Sequence, residues 1–231
     1  MSQRTLYLLG GSAAFEAVAE EFVPAAGGRE ATIALLMQGG SGWEKHVPDY
    51  TEPWTRQGVA HHHVIVPDEN GAWDIDQVSA KLSEATGIFI GGGHTPTYRH
   101  LYATEPLRSI IRERYQAGIP VAGVSAGALI SLEDCALDAD EVGDDSLKIE
   151  AGLGLAGNLV VEVHFTELDR LSNLLEAMIR LGAHVGWGID DPACLVLEDE
   201  KVTRVLGRSV YRVEMVDPAA KTYTMVEWSK T

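Results

Sequence analysis

A chain of 231 residues, 45% of them hydrophobic, is long enough to bury the core of one sizeable domain, and the composition argues against disorder. Its 18 basic residues stand against 34 acidic ones, a formal net charge of −16, which argues against nucleic acid or an anionic membrane as partner because their phosphates would be repelled. Two cysteines, Cys135 and Cys194, make no disulfide framework and match no zinc spacing, so both are expected to be small core residues in a reducing compartment.

In chain order, short apolar runs alternate with amphipathic stretches, the signature of parallel strands joined by crossover helices. Strands are expected at Thr5–Leu9, Ala31–Met37, His62–Val66, Gly87–Ile90 and Pro120–Gly123. Helices are expected between them near Ala13–Phe22, Tyr50–Gln57, Asp76–Glu84 and Pro106–Ala117. Tyr7-Leu8-Leu9 is too short for a secretory h-region, and no later run reaches membrane-spanning length, so a cytoplasmic protein is expected. Leu132–Asp145 has the composition of an acidic loop; a strand at Leu159–Val163 and a helix at about Glu167–Leu181 follow. The last third reads as short strands, Gly186–Ile189, Cys194–Leu197, Lys201–Leu206, Val210–Val216 and Tyr223–Trp228, meeting as antiparallel edge strands. The fold class is therefore α/β: one domain over residues 1–231, with a mostly parallel sheet, helices on both faces and antiparallel strands toward the C-terminus.

The chemistry is concentrated at Gly123-Val124-Ser125-Ala126-Gly127-Ala128, a serine between small residues directly after a strand. Such a nucleophile elbow needs glycines because side chains would clash where strand turns sharply into helix. His164 is the best base, since it stands at the C-terminal end of a strand, the edge where open parallel sheets place their sites. The acid that would orient it is sought between Ser125 and His164, with Asp140 ranked first and Glu141 second as midpoints of a loop folding back over the histidine. Gly91-Gly92-Gly93-His94-Thr95 follows another strand; the amides of Gly92 and Gly93, with that of Ala126, are the expected oxyanion hole. No dinucleotide or phosphate-loop fingerprint is present. His61, His62 and His63 cluster without further ligand spacing, so neither metal nor cofactor is expected.

These ordered motifs resemble the cyanophycinase and dipeptidase E family of serine peptidases, whose fold is similar to that of class I glutamine amidotransferases. The likeness rests on the early Gly-Gly, Ala26-Gly27-Gly28 and Ala31-Thr32-Ile33, the turn at Gly91–Gly93, and Ser125-Ala126-Gly127-Ala128. It continues through Gly152-Leu153-Gly154-Leu155, His164-Phe165 and Gly188-Ile189-Asp190. The resemblance implies Ser125 as nucleophile and His164 as base, favours Asp140 as acid, and implies cleavage of aspartyl dipeptides or of cyanophycin without a cofactor. The chain departs from the family at His94, where Gln or Asn is common, and at Leu168 and Asn173, which stand at positions of arginine in the cyanophycinase branch; Arg170 is kept.

The reading is a serine peptidase acting on small or aspartyl peptides, with His94, Thr95 and Arg170 as candidate substrate contacts. A guanidinium fork pairs well with a carboxylate, although Arg170 could instead pair with Glu167 or Asp169 on its helix. The alternatives are an α/β-hydrolase-like esterase, disfavoured because His164 follows Ser125 so closely, and a non-catalytic binding protein that keeps the fold. A small peptide is the expected partner, and a homodimer is left open.

Overall fold

The computed structural model describes residues 3–208 and 210–229. Met1, Ser2, Ser209, Lys230 and Thr231, which the expected domain 1–231 also spans, lie outside the described residues. The first half alternates as β1 (Thr5–Leu9), α1 (Phe15–Ala25), β2 (Thr32–Leu36), α2 (Val47–Arg56), β3 (His61–Ile65) and α3 (Ile75–Glu84). It continues with β4 (Gly87–Ile90), α4 (Thr95–Tyr102), α5 (Leu107–Gln116), β5 (Val121–Val124) and α6 (Ala126–Ser131). The second half comprises β6 (Asp134–Leu137), α7 (Ala139–Val142), β7 (Lys148–Ala151), β8 (Val160–Val163) and α8 (Leu171–Leu181). It ends with β9 (Val185–Ile189), β10 (Ala193–Glu198), β11 (Lys201–Gly207), β12 (Val210–Asp217) and β13 (Thr222–Trp228).

Seven strands form the main sheet in the order β11-β10-β1-β5-β4-β2-β3. The five from β1 to β3 are parallel, and β10 and β11 add antiparallel at one edge. Parallel strands covered on both faces need apolar side chains in both directions, which is why their sequences read as continuous hydrophobic runs. Leu6, Leu8, Ala34, Leu36, Ile88 and Ile90 pack to one side with α3, α4, α5 and α6. Tyr7, Leu9, Ile33, Leu35, Phe89 and Val124 pack to the other with α1 and α2. Cys135 and Cys194 are buried and unpaired, as expected of small core residues.

Two expectations are corrected. The strand carrying His164 does not join the main sheet: β8 pairs parallel with β9 in a second, four-stranded sheet of order β13-β12-β9-β8. Val161, Val163, Trp187 and Ile189 face the main core, while Val160, Val213 and Met215 pack on the other side against Leu174 and Met178 of α8. The acidic stretch Leu132–Asp145 is not a plain loop either. It contains β6 and α7, and β6 pairs antiparallel with β7 while burying Cys135 and Leu137 at alternate positions. Helix α4 is not among the expected helices; Pro96 lies in its first turn, where the missing N–H costs nothing.

Tyr102 of α4 fastens the C-terminal ends of β2 and β3. Its hydroxyl, fully buried, lies 2.6 Å from the carbonyl oxygen of Met37 and 2.8 Å from that of Ile65, one of which accepts its proton. Tyr102→Phe is expected to lower the unfolding free energy by about 1–3 kcal/mol, because a buried acceptor loses its donor. Urea unfolding of the two proteins measures it.

Candidate active site

Ser125 occupies the turn between β5 and α6 with φ 53° and ψ −116°, a left-handed conformation that costs a non-glycine residue about 1–3 kcal/mol. The turn holds because the chain on either side is tightly packed. A Cβ at Gly127 would lie 2.4 Å from the carbonyl oxygen of Ile90, and one at Gly123 would lie 2.4 Å from that of Gly127. The Ser125 amide donates to Leu9 O at 3.0 Å, and its carbonyl accepts from Ala128 and Leu129. The hydroxyl is thereby presented at the sheet's C-terminal edge, 2.8 Å from His164 Nε2.

His164 follows β8 directly and also has a positive φ, 49°. Helix α8 starts only at Leu171, so the histidine stands on a turn between strand and helix rather than at the helix start. Its Nδ1 is hydrogen-bonded to Oδ1 of Asp191. The carboxylate against His164 is therefore Asp191 and not the expected Asp140, which lies in α7. Parallel pairing explains the position: Val163 is in register with Ile189, so the residues after β8 and after β9 emerge side by side. The Asp191 amide donates to Glu167 Oε1 at 3.1 Å, and Asp190 Oδ1 accepts from the Thr166 amide at 2.9 Å, which ties the two turns together. Space for the acid is made at the end of β1, since a Cβ on Gly11 would sit 2.5 Å from the Asp191 carboxyl carbon. The early Gly-Gly serves to seat this carboxylate. Gly188-Ile189-Asp190, already singled out in the sequence, ends one residue short of the acid.

Of the three expected oxyanion donors, Gly92 is corrected: its N–H donates to the hydroxyl of Tyr50 at 3.1 Å. Its backbone still adjoins the elbow, for a Cβ there would be 3.3 Å from Ser125 Cβ. The amides of Gly93 and Ala126 have no hydrogen-bond partner among the described residues and remain available. Burial raises the pKa of Tyr50, which keeps the hydroxyl protonated.

A cavity of about 70 Å³ opens beside Ser125 and His164, lined by Gly93, Thr95, Asp138, Glu141, Glu162 and Arg170 among others. Thr95 is buried there, and its amide donates to Glu141 Oε1 at 3.1 Å. Arg170 forms an ion pair with Asp138, not with its sequence neighbours Glu167 or Asp169, and Asn173 Nδ2 donates to Asp138 Oδ1 at 3.1 Å. His94 is exposed and does not line this cavity. Its ring nitrogens lie 2.9 Å from Thr97 Oγ1 and 3.2 Å from Glu141 O. On the other side of Gly92 a groove of about 810 Å³ is walled by Phe15, Trp43, Tyr50 and Arg56. Among the described residues no group of three or more His, Cys, Asp and Glu side chains is placed to hold a metal ion, and no helix is long and apolar enough to cross a membrane.

Glu162, in β8, points into the cavity and has its pKa pushed up to about 8; burial is the largest cause, opposed by the nearby Arg170 charge. A carboxyl whose folded pKa lies above its unfolded value stabilises the fold while protonated and loses that contribution as pH rises. The melting temperature of Glu162→Gln relative to the parent is therefore expected to increase from pH 5 to pH 8 and to level off above it, as thermal melts across that range will show.

A cyanophycinase from Synechococcus elongatus is 29% identical over 208 residues, covering 88% of this chain and 64% of that protein. A cyanophycinase from Geminocystis herdmanii (strain PCC 6308) is 25% identical over 212 residues, covering 90% of this chain and 77% of that one. The chain thus spans less than two thirds of the Synechococcus relative's length. Among solved structures, a peptidase from an acI-B1 Actinobacterium superposes with a TM-score of 0.72 over 98% of this chain and 96% of its own at 18% identity, a likeness of fold. The model of peptidase family S51 matches residues 6–205, nearly the whole strand-and-helix framework that carries Ser125, His164 and Asp191, and the chain belongs to that family.

Proposed function

We propose that the protein is a serine-type peptidase hydrolysing small peptides through an acyl-enzyme on Ser125. The observation that carries the reading is the unbroken chain of contacts from Ser125 Oγ to His164 Nε2 and from His164 Nδ1 to Asp191. A hydroxyl is a weak nucleophile at its own pKa and needs a base within hydrogen-bond reach, and the base needs a partner that fixes its tautomer. Ser125 attacks the scissile carbonyl, and His164 Nε2 takes its proton. Asp191 keeps the proton of Nδ1 in place and stabilises the imidazolium. The amides of Gly93 and Ala126 receive the oxyanion, an interaction whose loss costs about 3–4 kcal/mol in comparable sites. His164 then returns the proton to the leaving amine, and water repeats the sequence on the acyl-enzyme.

Substrate size follows from the two spaces. The 70 Å³ cavity admits little more than a short side chain, which suits a dipeptide or the terminal residue of a peptide, while the groove beyond Gly92 leaves room for the remainder. The aspartyl reading rests on the family, and the substrate carboxylate needs a donor other than a free Arg170, since Asp138 already holds that guanidinium. Glu162, protonated at neutral pH, can donate a hydrogen bond to a substrate carboxylate from the same cavity.

Incubation with a panel of α-aspartyl, β-aspartyl and neutral dipeptides together with simple acyl esters, read by mass spectrometry, is expected to show peptide products with the parent protein and none with Ser125→Ala. Ester turnover without peptide cleavage would replace the reading by an esterase; no turnover and no labelling of Ser125 by a fluorophosphonate would replace it by a binding protein. Asp191→Asn is expected to slow fluorophosphonate labelling by about 10³–10⁴-fold by allowing the wrong tautomer, whereas Asp140→Asn should stay within about threefold of the parent.

A further inference from the structure

Away from Ser125, α5 carries Arg108 and Arg112, four residues apart and therefore on one face of the helix. They converge on Gly154: an added Cβ there would lie 3.5 Å from Arg112 Nη1 and 3.8 Å from Arg108 Nη2. In a chain with 34 acidic residues, such a pair would ordinarily attract a carboxylate. Neither guanidinium has a hydrogen bond or an ion pair among the described residues, and the buried Nε of Arg108 has no partner. Both line a cavity of about 240 Å³ that is also bounded by Tyr115, whose hydroxyl is buried and equally unpartnered. Tyr115 itself is 1% exposed, and burial pushes its pKa up to about 12, so it offers an O–H donor rather than a phenolate. Arg4, which also lines the cavity, is occupied by Asp199 and Glu200 and stacks over the Tyr115 ring.

We infer that this cavity binds a small oxyanion, clamped by the forks of Arg108 and Arg112 with the Tyr115 hydroxyl as a further donor. Two like charges held together with no carboxylate paired to either are costly, and buried donors without acceptors add to the cost. An oxyanion removes both terms at once, because guanidinium groups match phosphate and carboxylate oxygens in pairs. The carboxylates of Glu133 and Glu200 at the cavity wall favour a ligand with a single anionic group over a polyanion.

Thermal melts with inorganic phosphate and, separately, with acetate, each titrated against chloride at constant ionic strength, test the site and distinguish a phosphate from a carboxylate ligand. A saturable rise of about 3–6 °C with one of the two anions is expected for the parent. It should be lost in Arg112→Gln and in Arg108→Gln and reduced in Arg112→Lys, which keeps the charge but not the fork. Absence of a saturable rise with either anion, or a rise that survives both glutamine substitutions, would overturn the site. Fluorophosphonate labelling of Ser125 reports folding of each variant and is expected to be unchanged.

Discussion

The arrangement at Ser125 depends on one close backbone approach. The carbonyls of Ile90 and Gly91 occupy the place where a side chain on residue 127 would begin, and Gly127 in turn presses its own carbonyl toward Gly123. With both positions open, α6 can start immediately against β4 and β5, and the intervening residue is forced into the left-handed region. The strain at Ser125 is thus imposed by the packing of the sheet's centre, where every strand neighbour is buried, and the hydroxyl is aimed before any partner arrives. Preorganisation of this kind suits the nucleophilic role proposed for Ser125, since reorientation at the moment of reaction would add to the barrier.

The partners of that hydroxyl come from a separate sheet. Strands β8 and β9 run parallel and end in register, so His164 and Asp191 are carried to the same edge from positions 27 residues apart in sequence. The short sheet is held against the main core by Val161, Val163, Trp187 and Ile189 and covered behind by α8. Distance between Ser125 and His164 is consequently set by packing between two layers. A substitution in that apolar seam would alter the geometry of the site without touching it.

Electrostatics around the cavity follow a different logic. The hairpin of β6 and β7 with α7 brings Asp138 to Arg170 and Glu141 to the amide of Thr95, so the acidic segment does reach the site, but as its wall. Glu162 is left in the same space with its proton held by burial. Asn173 also lines this space, and its Nδ2 donates to the same Asp138 that pairs with Arg170, so the wall is held together by its own side chains.

Local pattern was enough for the strands of the main sheet, for the strand-to-helix turn at Ser125 and for a histidine at the end of a strand, because continuous apolar runs, small residues at a tight turn and a strand-end histidine all leave marks within a few residues of chain. The helix behind Pro96 and the hairpin within the acidic stretch were hidden, the first because a proline at a helix start looks like a stop, the second because exposed acids mask the alternation of Cys135 and Leu137. The acid was sought between serine and histidine in sequence order, yet order along the chain carries no distance information across a parallel pair; only the register of β8 with β9 and the clearance over Gly11 put Asp191, rather than Asp140, on His164. In the same way the sequence supplied Arg170 and the glycine turn, and the tertiary structure alone decided that Asp138 holds the one and Tyr50 caps the amide of Gly92, because both partners come from distant segments brought together by burial of the core.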